Sequence, residues 1–161
     1  MFLDNLKLVL DIVAAITVIA GVIIALLQFR DQNHLRQIDT IFRIYSQFGQ
    51  ESFARHFRLV TRWNYETYAE FLEKSPMDED ISLIVVSTLY EHMGLLLKRK
   101  YASIGLLNDL LGDTVLMVWA KVEPIWLGFR KKYNEPEMAI WFEYLHDAIV
   151  QYKAKIKDKP V

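Results

Sequence analysis

Cysteine is missing from all 161 residues, which excludes a disulfide framework, a thiolate nucleophile and a cysteine-ligated metal. Glycine occurs only six times and never in the clustered spacing that cradles a phosphate. Proline occurs four times, too rarely to mark a linker, and no segment alternates apolar and polar residues as a half-buried strand would. Net charge is close to zero, with 19 Lys and Arg against 20 Asp and Glu, so no acidic or basic tail dominates. No internal repeat is visible, and no spacing of nucleophiles, metal ligands or glycines specifies a reaction. Neither a catalytic residue nor a metal or cofactor is assigned, and the chain is read as a non-enzyme.

What is present is one long apolar run. From Ile12 to Phe29 no charge interrupts the sequence, and only Thr17 and Gln28 are polar. As a helix at 1.5 Å per residue this run spans roughly 27 Å, close to the roughly 30 Å hydrocarbon core of a bilayer. A cleaved signal is not expected, because Asp4, Lys7 and Asp11 precede the run and no A-x-A-like site follows it. Arg30, Arg36 and Arg43 lie on the carboxyl side, so the positive-inside rule predicts a short amino terminus outside. Residues 1–30 are therefore expected to be a single-pass anchor in the inner membrane, and residues 31–161 a cytosolic helical domain. Absence of cysteine is consistent with that placement.

Within the run, Asp11, Ala14, Val18, Gly21, Ala25 and Gln28 recur at heptad spacing, with Thr17 beside them. Small residues on one face let helix backbones approach closely in lipid, and an acid at the membrane edge is better tolerated facing a partner than facing acyl chains. This face predicts a homo-oligomer.

Past the run the period is helical throughout, so the fold class is all-α. The anchor is expected to continue as a stalk with Leu35, Ile38, Phe42, Tyr45 and Phe48 on its apolar face, ending near Gly49. Further helices are predicted over Ser52 to Trp63 and over Tyr65 to Lys74, the latter ending before Ser75-Pro76. A central helix starting near Asp80 presents Ile81, Ile84, Val85, Thr88, Leu89, His92 and Leu96 on one face. A short helix from Ser103 to Leu111 should be closed by Gly112, with Asp113 capping the next, and Pro124 should kink that one. The final helix should begin at Pro136 and carry Ile140, Trp141, Tyr144, Leu145, Ala148 and Ile149.

The stretches YEHMGLLLKRKYASIGLLNDLLG, VWAKVEPIWLGFRKKY and FEYLHDAI carry a further signal. In Glu91, Gly94, Leu110, Gly112, Trp119, Arg130, Phe142, Glu143 and Leu145 the carboxyl half resembles an uncharacterised bacterial family, the domain of unknown function numbered 4760. That resemblance implies a membrane helix joined to a small helical domain. It supplies no activity.

Several pairs have spacings that bear on chemistry. Glu143 and His146 have the Glu-x-x-His spacing of carboxylate-bridged di-iron bundles, but the second copy such a site needs is missing. Glu91 and His92 are adjacent and diverge by about 100° on a helix. Arg30 and His34 stand closer in sequence than the Arg and His of helical ribonuclease domains and suit a headgroup anchor. Residues 30–62 hold six arginines against three acids, and residues 66–80 hold six acids against Lys74. Arg55, Arg58 and Arg62 share a helix face and are expected to contact anionic lipid or phosphate, each cation adding about 1 kcal/mol near a charged bilayer. The alternative is that they pair with the acids of residues 66–80, in this chain or another subunit. Phe53, Phe57, Trp63 and Tyr65 lie among them, but aromatics at helical spacing belong to a core, so nucleic acid is not expected as a partner.

The expected function is a membrane-anchored, self-associating interaction or scaffold protein, with membrane lipid and a cytosolic protein as partners. The competing expectation is a ring- or pore-forming membrane effector of a bacterial antiviral, CRISPR-associated defence system.

Overall fold

The computed structural model describes the backbone of residues 2–157 and the side chains at positions 10, 14–28, 38–39 and 41–157. Every element among them is helical: α1 (Phe2–Tyr45), a 3-10 turn (Ser46–Gly49), α2 (Glu51–Arg62), α3 (Tyr68–Lys74), α4 (Met77–Lys98), α5 (Ile104–Tyr133) and α6 (Ile140–Lys157). The chain divides into two compact units, Met1–Asp39 and Thr40–Val161.

In the second unit α4 packs against α2 and α6, while α5 packs against α6 and α3. Its core is continuous, from Ile41, Phe53, Val60 and Trp63 through Phe71 and the inner faces of α4 and α5 to Phe142, Leu145 and Ile149. Aromatic rings knit it: Tyr90 stacks on Phe142 at 4.6 Å and Trp119 meets Phe142 edge-on at 4.9 Å. Polar ties add direction, with Trp126 donating to Ser87 at 2.9 Å and Lys121 to the Trp63 carbonyl at 2.6 Å.

The all-helical class matches the periodic pattern, but two expected helices merge into α5 and several faces and ends differ. On α1 the core-facing residues are Ile41, Ile44 and Tyr45, continued by Phe48, and Phe42 is 54% exposed. On α4 the buried residues are Ser82, Leu83, Val86, Ser87, Leu89, Tyr90, Met93 and Gly94, so Ile81, Ile84, Thr88 and His92 form the outer strip rather than the core face. The sequence pattern misled because α4 is flanked by α2 and α6 and buries a wide arc, including two serines whose hydroxyls find partners. Helix α3 starts at Tyr68, not Tyr65, because the Thr67 hydroxyl accepts the Glu70 N–H at 3.1 Å and caps it there.

Gly112 does not end a helix. Helix α5 runs for 30 residues through Gly112 and Pro124, capped by the Ser103 hydroxyl accepting the Leu106 N–H. Internal glycine costs about 1 kcal/mol and internal proline about 3, but Leu107, Leu111, Val115, Val118, Trp119, Val122 and Ile125 are all buried along α5, and that packing carries the helix past both without a break. Asp113 is no cap; it pairs with Lys153 of α6. Nor does α6 begin at Pro136. Asn134 adopts a left-handed conformation at φ 54°, residues 135–139 form turns, and Ala139 at φ 56° breaks the run before Ile140.

The junction of α4, α5 and α6 explains this start. Glu91 of α4 accepts the Phe142 N–H at 2.6 Å, satisfying a first-turn donor of α6. Arg130 of α5 donates to the Met138 carbonyl at 2.8 Å and pairs with Glu143 at 2.7 Å. Gly94 allows the approach: a Cβ there would lie 1.9 Å from the Trp141 carbonyl oxygen. Gly128 serves α5 similarly, since a Cβ would fall 2.1 Å from Tyr68 Cβ.

By length and composition, one helix among the described residues could cross a membrane, Met77–Lys98; Ala14–Gln28 is a shorter apolar segment. In Met77–Lys98, 44% of the apolar window is buried inside the domain. Those buried residues, Leu83, Val86, Leu89, Tyr90 and Met93 among them, face the core, as the apolar side chains of a central bundle helix do.

Two expectations follow for stability, each readable by thermal unfolding of the full chain. Gly94→Ala should cost about 3 kcal/mol, the upper end for an overpacked contact, because a backbone carbonyl has to move; an unchanged midpoint would mean the α4–α6 approach is looser than described. Burial pushes the Glu91 carboxyl above its usual 4.5, against the N–H groups of Phe142 and Trp141 and the Arg130 charge, which pull it down. The folded state then holds the proton longer than the unfolded state, so Glu91 lowers stability as pH rises from about 4.5 to its raised folded value. Glu91→Gln should lack that decline, whereas Glu91→Ala should lose about 2 kcal/mol by orphaning a buried N–H. Parallel pH profiles for wild type and Glu91→Gln would contradict this.

Candidate functional site

Two surfaces carry the residues singled out by sequence. On α1, Ala14, Thr17, Val18, Gly21, Ala25 and Gln28 all have exposed side chains. Helical geometry at 100° per residue places them within an arc of about 100°. A Cβ at Gly21 would meet nothing within 4 Å, so space for close approach is present along this face. The side chains of Asp11, Arg30 and His34 lie outside the described residues.

The second surface is α2. Its inner residues Phe53 and Val60 are buried, and its outer face carries the arginines. Arg55, Arg58 and Arg62 line one groove of about 520 Å³ together with Glu51, Ala54 and Leu59, so the structure brings all three cations together. Arg55 is tied to Glu51 at 2.7 Å, an exposed i,i+4 pair of small energetic weight. Arg58 and Arg62 have no ion pair among the described residues.

Glu70, Glu79 and Asp80 of the acidic stretch 66–80 accept bonds from nearby residues. Tyr65 donates to Glu79 at 2.6 Å, and that bond, then burial, pushes its hydroxyl up to about 12. Glu70 accepts the Glu66 N–H at 3.1 Å and Lys74 at 3.0 Å, which together lower its carboxyl. Ser75 donates to Asp80 at 3.3 Å. Among the described residues no ion pair joins these acids to the three arginines, so the expected alternative of pairing within the chain is not what the structure displays.

An adjoining crevice of about 400 Å³ was not legible in the sequence. It is walled by Phe48, Phe53, Phe57, Thr61 and Thr114 and shares Ala54 and Arg58 with the arginine groove. Thr114 comes from α5, and no local pattern links it to α2. Phe53 and Trp63 are in the core, so the aromatics among the arginines do not form an exposed stacking platform.

Glu143 and His146 each have other partners. Glu143 binds Arg130, and His146 bonds to Asp147 at 2.9 Å while lying 5.9 Å from the Trp119 ring. One Ser–His contact does occur, His56 Nδ1 with Ser82 Oγ at 2.9 Å. The Ser82 hydroxyl donates to the Asp78 carbonyl at 2.5 Å, so it accepts from the imidazole N–H. That direction is opposite to the one a general base requires, and Ser82 is fully buried. Among the described residues no group of three or more His, Asp or Glu could hold a metal ion.

No curated protein and no solved structure matches the chain significantly. The family model for a domain of unknown function, DUF4760, matches residues 15–149, covering both the apolar segment of α1 and the junction of Glu91, Gly94, Arg130, Phe142 and Glu143. The chain belongs to that family.

Proposed function

We propose that this chain is a membrane-anchored, self-associating interaction protein, held in the inner membrane by the apolar segment of α1, with its amino terminus outside and residues 31–161 in the cytoplasm. One observation carries the reading: Ile16, Val18, Ile19, Val22, Ile23, Ile24, Leu26 and Leu27 are each more than half exposed. Leaving so contiguous an apolar surface in water forgoes about 25 cal/mol for every Å² that could be buried, which lipid or a second helix would relieve. In the other apolar helix, α4, Leu83, Val86, Leu89, Tyr90 and Met93 already fill the core. Arg30, Arg36 and Arg43 after the segment favour a cytoplasmic carboxyl side.

Self-association is supported by the small-residue face. Lipid gives no hydrophobic drive between helices, so close packing and polar contacts hold membrane helices together, and Ala14, Gly21 and Ala25 permit such approach. An interaction role in the second unit is supported by the outer strip of α4, where Met77, Ile81 and Ile84 are 78%, 44% and 58% exposed. The Glu143, His146 and His56 side chains are committed to structural contacts rather than poised for a reaction.

The protein should sediment with inner membranes and resist both high salt and carbonate, and a carboxyl-terminal reporter active only in the cytoplasm should give signal. Release by salt alone would end the anchor reading, and signal from an extracytoplasmic reporter alone would reverse the topology. For self-association, Gly21→Leu or Ala25→Leu should lower the oligomer size measured by mass photometry in detergent. Ile23→Leu, on the opposite side of the helix by about 180° from Ala14, should not. A cysteine placed at position 21 should crosslink between chains more readily than one at 23. A monomeric wild type at every concentration, or equal crosslinking, would remove this face as an interface.

A further inference from the structure

We propose that the outer face of α2, with Arg58 and Arg62 as its cations and Leu59 and the Phe48–Phe57 crevice as its apolar part, docks on anionic phospholipid headgroups of the bilayer. The proposal rests on the anchored reading above, which would keep the second unit close to lipid.

Three observations lead to it. Arg58 and Ala54 line both the arginine groove and the aromatic-walled crevice, so positive charge and apolar surface meet at one place. A phospholipid headgroup region offers the complementary pair: phosphate oxygens, which a guanidinium fork binds in bidentate fashion, beside glycerol and the first methylenes. Arg58 and Arg62 are exposed with no ion pair among the described residues, so docking sacrifices no bond there; Arg55 would have to share its charge with Glu51. Leu59 stands between them and is 36% exposed, a small apolar foot in a cationic face.

The geometry also limits the mode. The main apolar side of α2 is spent on Phe53 and Val60 in the core, so the helix cannot lie embedded in the acyl region as an interfacial amphipathic helix does. Contact is electrostatic with a shallow apolar component, and therefore sensitive to lipid charge and salt. Weak intrinsic contact is sufficient when the protein is already tethered, because tethering makes docking an intramolecular event with a high effective concentration.

The test uses the full chain in vesicles. Since the sequence has no cysteine, Ser52→Cys on exposed α2 gives a single labelling site for a fluorophore, read against lipids that carry a nitroxide on the headgroup. Quenching should be strong in phosphatidylcholine vesicles containing phosphatidylglycerol, weak in phosphatidylcholine alone, and lost at 1 M salt, where screening falls to about 3 Å. Arg58→Gln with Arg62→Gln should reduce the docked-to-undocked ratio roughly 30-fold, about fivefold for each cation removed. Arg58→Lys with Arg62→Lys should retain most of it, and both doubles should melt like wild type because the side chains are exposed. Equal quenching in charged and neutral vesicles, or an unchanged Gln double, would overturn the proposal. A Gln double that loses oligomer size while its quenching stays the same would overturn it too, assigning the face to an acidic surface of a second copy. Flotation after carbonate separates the two readings: a protein that floats with neutral vesicles but shows no charge-dependent quenching keeps its anchor and loses this site. One that is stripped by carbonate yet quenched only in charged vesicles loses its anchor and keeps the site.

Discussion

The helical domain depends on a carboxylate that terminates one helix from the side of another. Glu91 projects from the middle of α4 and accepts the Phe142 N–H at 2.6 Å, which sets where α6 begins and in what register it faces α4. Two neighbours make that bond possible. Gly94, one turn on, removes the side chain that would collide with the Trp141 carbonyl, and Arg130 from α5 holds Met138 and Glu143 on either side of the α6 start. With α6 so placed, Phe142 enters between Tyr90 and Trp119, and Leu145 and Ile149 follow into the core. Burial of a carboxylate is unfavourable; the Phe142 N–H and the nearby Arg130 charge offset part of that cost.

The two apolar helices show how composition and burial separate. Met77–Lys98 is long and apolar enough for a membrane span, yet its Leu83, Val86, Leu89, Tyr90 and Met93 are packed in the core. The segment Ala14–Gln28 is shorter among the described residues, yet its large residues are exposed. What separates them physically is whether an apolar side chain already has protein neighbours, since only unburied surface still gains from transfer out of water.

Charge is similarly partitioned. Three of the acids of residues 66–80, Glu70, Glu79 and Asp80, accept local hydrogen bonds from Lys74, Tyr65 and Ser75, which serve α3 and the start of α4. The arginines of α2 are left outward, one of them shared with Glu51. An excess of local cationic charge beside an apolar crevice, in a chain whose total charge is near zero, is a feature that a net-charge argument would overlook.

Much of this was legible in the sequence because local chemistry decides it. The all-helical class follows from the 3.6-residue period. The end of α1 before Gly49, the span of α2 and the shared face of Arg55, Arg58 and Arg62 follow from spacing along one helix. The apolar run of residues 12–29 and its arginine flank are likewise read directly. Tertiary structure alone decided the rest. Gly112 resembles a helix stop, but the buried face of α5 overrides one glycine; Pro136 resembles a helix start, but Ala139 and the Glu91 contact move it to Ile140. Ile81 and Ile84 fit a core period, but α4 is buried by neighbours on two other sides and its serines go inward instead. In each case the local preference is worth about 1–3 kcal/mol, and contacts between residues some 50 positions apart, such as Glu91 with Phe142, outweigh it through burial that no window of sequence contains.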